Sequence, residues 1–394
     1  MLLKTPYYLI DERLLRRNLA LIRSVAERAD VEIILAFKAY SLWRTFPILR
    51  EYISSTTASS PWEARLGFEQ FGAPCHTFSP AYTEEDFPLL LQCSSHLTFN
   101  SIGQMHRFMP VLRAYNEKHP TRRVSPGLRI NPEHSHIETP LYDPCAPGSR
   151  FGVLSDILRG EDVLGEGIEG FHCHCHCESS AEELADNLTY VEARFGDWLP
   201  HLRWLNLGGG HLMTREDYNV ELLIHVLQEL HHRYPQLHII LEPGSAFGWQ
   251  TGPLVCSVVD VVENHGIRTA IIDVSFTCHM PDCLEMPYKP IVREEIANGE
   301  CTERNKPSVS GAECYEYRLG GNSCLSGDFV EGFRFDHELR VGERLHIEDM
   351  NHYTTVKTTM FNGIQHPSLV IQRMDGSFEI LRTFAYEDYR GRMD

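Results

Sequence analysis

Lys38 sits in the run Leu35-Ala36-Phe37-Lys38-Ala39-Tyr40, directly after a short apolar stretch that reads as a buried strand. A lysine held against apolar surface loses part of its preference for the charged form, so its amine gains nucleophilic character. A strand-end lysine that simply reaches water is the plain alternative. Leu205-Asn206-Leu207-Gly208-Gly209-Gly210-His211 closes a second apolar stretch. Three consecutive glycines with a helix expected after them let backbone N–H groups converge on an anion such as phosphate, although a glycine run also makes ordinary tight turns. Ile240-Leu241-Glu242-Pro243-Gly244 ends a third stretch in a carboxylate beside another glycine. Buried, Glu242 could keep a pyridine nitrogen protonated; exposed, it is an ordinary strand-end acid.

The most conspicuous segment is Gly170-Phe171-His172-Cys173-His174-Cys175-His176-Cys177-Glu178. In a strand, His172, His174, His176 and Glu178 share one face and the cysteines the other. His and Cys suit zinc, but ligands two apart along a strand diverge, and Cys on the strand face buried against helices behaves as a small hydrophobe. No metal is therefore assigned, and a single histidine facing a pocket is preferred. Later come Cys324-Leu325-Ser326-Gly327-Asp328 and His352-Tyr353-Thr354. A thiol can donate a proton, a carboxylate can bind an amine and a phenol can hold a phosphate oxygen, although satisfied loop residues explain each equally well.

Strand–helix alternation must position these groups. Apolar runs end near Lys38, Ala58, Ser79, Asn100, Asn131, His174, Gly208 and Glu242, with helical patterns between them. Eight such units predict an α/β chain, a (β/α)8 TIM barrel over residues 9–268, with active-site groups at the carboxyl ends of its strands. Asp11 is a plausible cap for a helix with apolar positions Leu14, Leu15, Leu19, Ile22 and Val25. Ser179-Ser180-Ala181-Glu182 has capping-box spacing, and residues 214–217 suggest a similar start. Beyond about residue 265 the helical pattern thins. Short apolar runs at 269–274, 344–347, 368–372 and 378–381, with Asp375-Gly376 as a hairpin signal, predict a smaller β-domain of residues 1–8 and 269–394.

A length of 394 residues fits one large domain and a second, and 42% hydrophobic with 23% charged residues is ordinary for a globular protein. Lys and Arg number 36 against 54 Asp and Glu, a net charge of −18. Such a surface repels nucleic acid and favours a cationic partner, or merely aids solubility. No apolar run is long enough for a membrane span, and the opening Met1-Leu2-Leu3-Lys4-Thr5-Pro6 lacks a signal-peptide core. A cytoplasmic location is expected. The twelve scattered cysteines are then expected to be reduced.

Taken together, these residues resemble the fold-III pyridoxal-phosphate decarboxylases, the group of ornithine and diaminopimelate decarboxylases on an alanine-racemase-like fold. The resemblance spans nearly the whole chain. It rests on Phe37-Lys38-Ala39, Thr56-Thr57-Ala58-Ser59-Ser60 with Glu63-Ala64-Arg65-Leu66-Gly67, and Leu128-Arg129-Ile130-Asn131-Pro132. Cys145-Ala146-Pro147-Gly148-Ser149-Arg150, Gly208-Gly209-Gly210 and Glu242-Pro243-Gly244 also match. Asp273-Val274-Ser275, Cys278-His279-Met280-Pro281-Asp282 and Glu285-Met286-Pro287-Tyr288 are most similar to the carboxynorspermidine/carboxyspermidine branch. The stretches around Cys324 to Asp328 and Asn351-His352-Tyr353 complete the match.

The resemblance implies pyridoxal 5'-phosphate bound through Lys38, with His174 against its ring and Glu242 at the ring nitrogen. Gly208, Gly209, Gly210, Gly244 and Tyr353 would hold the phosphate, and Arg150 would lie near the ring oxygen. It further implies a homodimer with shared active sites. In it, Cys324 of a second subunit protonates the substrate carbon and Asp328 binds a substrate amine, with Asp273 and Asp282 for the remaining cationic groups. The implied reaction is decarboxylation of a cationic carboxylated polyamine; other fold-III decarboxylations, racemisation, a non-catalytic regulator of polyamine metabolism and a zinc hydrolase built on the histidine segment are the rivals. Two departures concern substrate detail: Ser245 follows Glu-Pro-Gly where a second acid is common, and Cys175 and His176 stand where apolar residues are expected.

Overall fold

The computed structural model describes residues 3–140, 142–295 and 314–394; Met1 and Leu2 of the opening stretch lie outside them. The chain forms two compact units, Asn18–Phe247 and Met1–Arg17 with Gly248–Asp394. The division thus falls at 17/18 and 247/248, where the sequence suggested 8/9 and 268/269.

β1 (Tyr7–Asp11) belongs to the smaller unit. The larger unit contains β2 (Glu32–Ile33), β3 (Leu35–Ala36), β4 (Thr56–Ala58), β5 (Cys75–Phe78), β6 (Ser94–Phe99), β7 (Ser125–Arg129), β8 (Gly170–His172), β9 (Trp204–Asn206) and β10 (His238–Leu241). They make one parallel sheet in the order β2-β10-β9-β8-β7-β6-β5-β4-β3. β2 and β3 are halves of one run interrupted at Ile34, whose N–H donates to the Leu241 carbonyl at 2.9 Å. One half pairs with β10 and the other with β4, so the sheet closes as a barrel with eight strand positions. This is the (β/α)8 α/β architecture the alternation predicted.

Inward alternation fills the barrel in layers. The Trp204 indole packs among Ile34 and Ile240, lies 5.3 Å from the His96 ring and donates to Ser125 Oγ at 2.9 Å. A Cβ at Gly127 or Gly170 would collide with that indole, so these glycines leave its space. Two residues further along the strands lie Arg129, His172 and Asn206, and the layer therefore turns polar towards the carboxyl ends. β8 and β9 stop two residues short of the expected His174 and Gly208. The chain leaves the ladder there because Gly208 closes on His174 and Gly210 on His176.

Helix starts follow local chemistry with shifts in register. Asp11 Oδ1 accepts from the N–H groups of Arg13 and Leu14 at the start of helix Glu12–Ala29, as expected. The capping box lies one residue beyond the expected one: Ser180 and Glu183 exchange bonds at the start of helix Ala181–Phe195. Residues 214–217 form turns, and the cap of helix Val220–Arg233 is instead Asn219, whose Oδ1 accepts from Leu222 N–H at 3.1 Å.

In the smaller unit, β11 (Leu254–Asn264), β12 (Ile267–Ile272), β13 (Val292–Glu294), β14 (Tyr315–Gly320), β15 (Phe329–Phe335), β16 (Arg344–Ile347), β17 (Ser368–Gln372) and β18 (Phe378–Arg382) join β1 in a mixed sheet. β11, which the sequence reading put with the barrel, is antiparallel to β12 and β16. Its buried first half, Leu254, Cys256 and Val258, packs with Leu345, Ile347, Phe333 and Phe335, which is why it belongs here. The Asp375-Gly376 turn joins β17 to β18, Gly376 taking the positive φ of +82° that the turn needs. Among the described residues, no helix is long and apolar enough to cross a membrane.

Candidate active site

The carboxyl ends of the barrel strands bring together Lys38, His174, Glu242, the 208–210 run and Gly244. Lys38 leaves β3 into a turn and is exposed at the rim, its Nζ 3.2 Å from His174 Nε2. Desolvation lowers its pKa below that of ordinary lysine; Glu242 opposes this and Arg129 adds to it. Burial first, then Lys38 and Arg129, hold the His174 pKa well below the usual imidazole value, so this ring is neutral near pH 7. Its Nδ1 accepts from the Gly209 N–H at 3.0 Å, which assigns the ring proton to Nε2, facing the amine.

Glu242 terminates β10 and is nearly buried. Its Oε1 accepts from Asn206 Nδ2 at 2.6 Å, and its Oε2 lies 3.4 Å from His172 Nε2. Burial alone would raise its pKa, yet His172, Asn206 and Lys38 together leave it lowered, so the group stays a carboxylate. The charge is thus retained inside the barrel end, where a cationic ring nitrogen would be matched.

The glycine run differs from its expected role in detail. No helix follows it directly. The Gly208 N–H donates to Asn206 Oδ1 at 2.8 Å and the Gly209 N–H to His174, so two of the three donors already serve the protein. Gly208 and Gly210 have φ of +72° and +92°, and a Cβ on either would strike His174 or His176. The run therefore lets two loops touch, whatever else it binds. At Gly244 a Cβ would meet that of Ala39, so this glycine packs under the lysine turn.

Arg150 is exposed with its guanidinium 4.3 Å from the Phe151 ring centre. Arg129 was given no role by the sequence reading. It is buried, lies 4.6 Å from the Phe78 ring and 4.4 Å from that of Phe151, and donates to the His174 carbonyl at 3.0 Å. Burial pulls its pKa down to about 10, leaving it a cation. His172 and Asn206 were likewise unassigned. Their signal was available in the inward alternation: Gly127 to Arg129, Gly170 to His172 and Trp204 to Asn206 each advance two residues on one side of a strand.

The histidine segment does not gather around one point. The His172 and His174 rings are parallel and 6.4 Å apart, the repeat of an extended chain, while His176 contacts Asn187 at 3.2 Å and lies 4.9 Å from the His211 ring. Cys173 and Cys175 are buried with their sulfurs 3.9 Å apart on the opposite side.

The remaining predicted residues lie in the smaller unit. Cys324 is exposed, its N–H donating to Asn362 Oδ1 at 2.8 Å. Asp328 is buried beneath it and accepts from Thr277 N–H at 3.0 Å, Ser323 N–H at 3.3 Å and Ser323 Oγ at 2.5 Å. Asp273 accepts from the Ser257 N–H at 2.7 Å, joining β11 to the end of β12, and burial raises its pKa. Asp282 pairs with Lys357, whose ammonium also lies 3.7 Å from Glu285. Tyr353 is half-buried at a positive φ of 54°, just before the helix Thr354–Lys357.

A closed barrel whose rim carries an amine of lowered pKa, a neutral imidazole and a retained carboxylate defines the class as a (β/α)8 barrel enzyme. The chain belongs to the pyridoxal-dependent decarboxylases: residues 8–351 match the family described as pyridoxal-dependent decarboxylase, C-terminal sheet domain. It is 47% identical to a carboxyaminopropylagmatine decarboxylase of Synechocystis over 99% of this chain and 96% of that one. It is 37% identical to a carboxynorspermidine/carboxyspermidine decarboxylase of Campylobacter jejuni over 98% of each. A crystal structure of carboxynorspermidine decarboxylase with norspermidine, from the same organism, superposes with a TM-score of 0.85 at 36% identity, covering 99% of this chain and all of that one.

Proposed function

We propose that this protein decarboxylates a carboxylated polyamine, carboxynorspermidine or carboxyspermidine, with pyridoxal 5'-phosphate held at the barrel rim. The observation that carries the reading is the set of Lys38, neutral His174 and ionised Glu242 within one barrel end. These residues fit the cofactor. An amine with a lowered pKa suits an aldehyde, a neutral ring offers a stacking face, and a buried carboxylate matches a protonated ring nitrogen. Gly210, Gly244 and Tyr353 are the groups for its phosphate, since the N–H donors of Gly208 and Gly209 are engaged elsewhere. When bound, the cofactor accepts the electron pair left on the substrate carbon as carbon dioxide departs.

The protein's own groups do the rest. Glu242 keeps its charge inside the barrel, and Asn206 and His172 fix its orientation. His174 is fixed in turn by Gly209 N–H and by Arg129 on its carbonyl. Cys324, exposed on its loop, is the proton donor to the substrate carbon, in a homodimer whose second subunit supplies it. For the distal ammonium groups, Asp282 and Asp328 are better candidates than Asp273, whose carboxylate joins two strand ends. Asp282 would exchange Lys357 for a substrate ammonium. The net charge of −18 favours such a cation, and a cytoplasmic location accords with this metabolism.

A second reading is favoured by the relative at 47% identity, whose name denotes a substrate ending in a guanidinium. A planar guanidinium asks for two parallel acceptor bonds where an ammonium takes a point charge. Purified protein with added cofactor should be offered carboxynorspermidine, carboxyspermidine, carboxyaminopropylagmatine, diaminopimelate and ornithine, with carbon dioxide and the amine product measured. Higher kcat/KM on one of the first two supports the proposal; preference for the third moves the assignment to the guanidinium substrate. Turnover of only the small amino acids overturns both.

A further inference from the structure

Helix Ala181–Phe195 carries Asp186, Tyr190 and Arg194 at four-residue intervals, hence on one face. That face holds the irregular segment after β7. Arg194 pairs with Glu133, the Tyr190 ring stacks on His134 at 3.6 Å and 10°, and Asp186 Oδ2 receives both His134 Nε2 at 2.7 Å and His136 Nε2 at 2.8 Å. Two imidazole nitrogens and a carboxylate thus meet at one point, their donor atoms all within 4.8 Å of one another. None of these residues has a place in the proposed decarboxylation.

We propose that His134, His136 and Asp186 form a binding site for a divalent transition metal of the zinc type, open at its fourth position. The ligand set, two imidazoles and one carboxylate, is the kind zinc takes with a water completing a tetrahedron. Bond lengths of 2.0–2.2 Å place tetrahedral ligands about 3.3 Å apart, so the two histidine–aspartate separations of 2.7 and 2.8 Å need open by about half an ångström, with each imidazole proton held on Nδ1 instead of Nε2, to admit the ion. The imidazoles are not free to scatter when they do. Tyr190 fixes the plane of His134, the Arg194–Glu133 pair fixes the chain just before it, and Asn131 Oδ1 holds the Glu133 N–H at 2.8 Å. The residues that organise the ligands are thus distinct from the ligands, as at built metal sites. The bound ion would join the segment after β7 to the helix 50 residues on.

The alternative is a pair of histidine–aspartate hydrogen bonds without an ion, and the buried thiols Cys173 and Cys175 are the competing zinc ligands. The test uses cofactor-loaded, chelator-stripped enzyme near neutral pH. Zinc binding is measured by equilibrium dialysis and thermal shift, and cobalt binding by visible absorption. Expected are one zinc per chain, a raised Tm, and cobalt bands without thiolate charge transfer. His134→Ala, His136→Ala and Asp186→Asn should each weaken binding by about 100-fold or more, since even supporting residues are worth 10–100-fold. The side chains of His136 and Asp186 are about a third or more exposed, so these two variants should fold. Binding that survives all three changes, that disappears instead in Cys175→Ser, or that is no tighter than in the triple variant overturns the site.

Discussion

The barrel rim and the acid-bearing loops of the smaller unit hold similar polar groups in opposite ways. At the rim, Lys38, His174 and Glu242 each have a shifted pKa and face one another from separate strands. In the smaller unit, Asp273, Asp282 and Asp328 are each already engaged by a partner of that unit, whether a strand N–H, a lysine or a serine loop. Closure of a parallel sheet brings side chains from different strands to face one another, whereas each acid of the smaller unit is paired with its own donor and keeps an ordinary ion-pair or hydrogen-bond role. The rim is therefore where the proposed chemistry is placed. The acids differ among themselves, depending on how easily each partner can be given up.

The comparison breaks most visibly at Lys38. Lys38→Ala should lower kcat by about a thousandfold or more with the fold intact, because it removes the amine proposed to anchor the cofactor; retained cofactor absorbance and activity would remove Lys38 from the centre. Cys324→Ala comes next, with an expected loss of about 10²–10⁴-fold in kcat and little change in KM, the range for a positioned proton donor. Mixing Lys38→Ala and Cys324→Ala chains should restore a fraction of activity if two subunits share each site. No recovery, with hybrid dimers formed, would confine both roles to one chain.

Asp282→Asn and Asp273→Asn sharpen the contrast within the smaller unit. Asp282→Asn should raise KM for the polyamine by about 10–100-fold, the worth of a charge-assisted hydrogen bond of about 1.5–3 kcal/mol. Asp273→Asn should leave KM nearly unchanged and lower Tm, since it weakens an accepted strand N–H. The reverse pattern would exchange their roles. The smallest effect concerns pH. His174 and Glu242 both have lowered pKa values: the first is neutral and the second ionised from pH 8 downwards through the usual histidine range. Neither should produce a limb in kcat/KM between about pH 6 and 8. A limb near pH 6.5 that vanishes in His174→Asn would mean the ring protonates there.

Much of the fold was legible because barrel strands carry a simple code. Eight apolar runs with helical patterns between them gave the closed sheet, and rim residues followed as the positions just beyond each run. The division near 247 was less legible, since β11 is as apolar as a barrel strand and only its antiparallel partners assign it to the other sheet. The capping box was off by one because Ser179 and Ser180 both precede an acid at the right interval. Arg129, His172 and Asn206 were left without roles because alternation tells which face they take, while only closure of the barrel supplies the partners they meet there.

The sequence alone determined the family and the succession of barrel strands, and it singled out Lys38 as the candidate amine, because these depend on local pattern and residue type. Tertiary structure decided the charge states of Lys38, His174 and Glu242, the engagement of two glycine N–H groups, and the meeting of His134 and His136 with Asp186. Each of these depends on distances between residues far apart in the chain, and desolvation and hydrogen-bond geometry exist only once those distances are fixed.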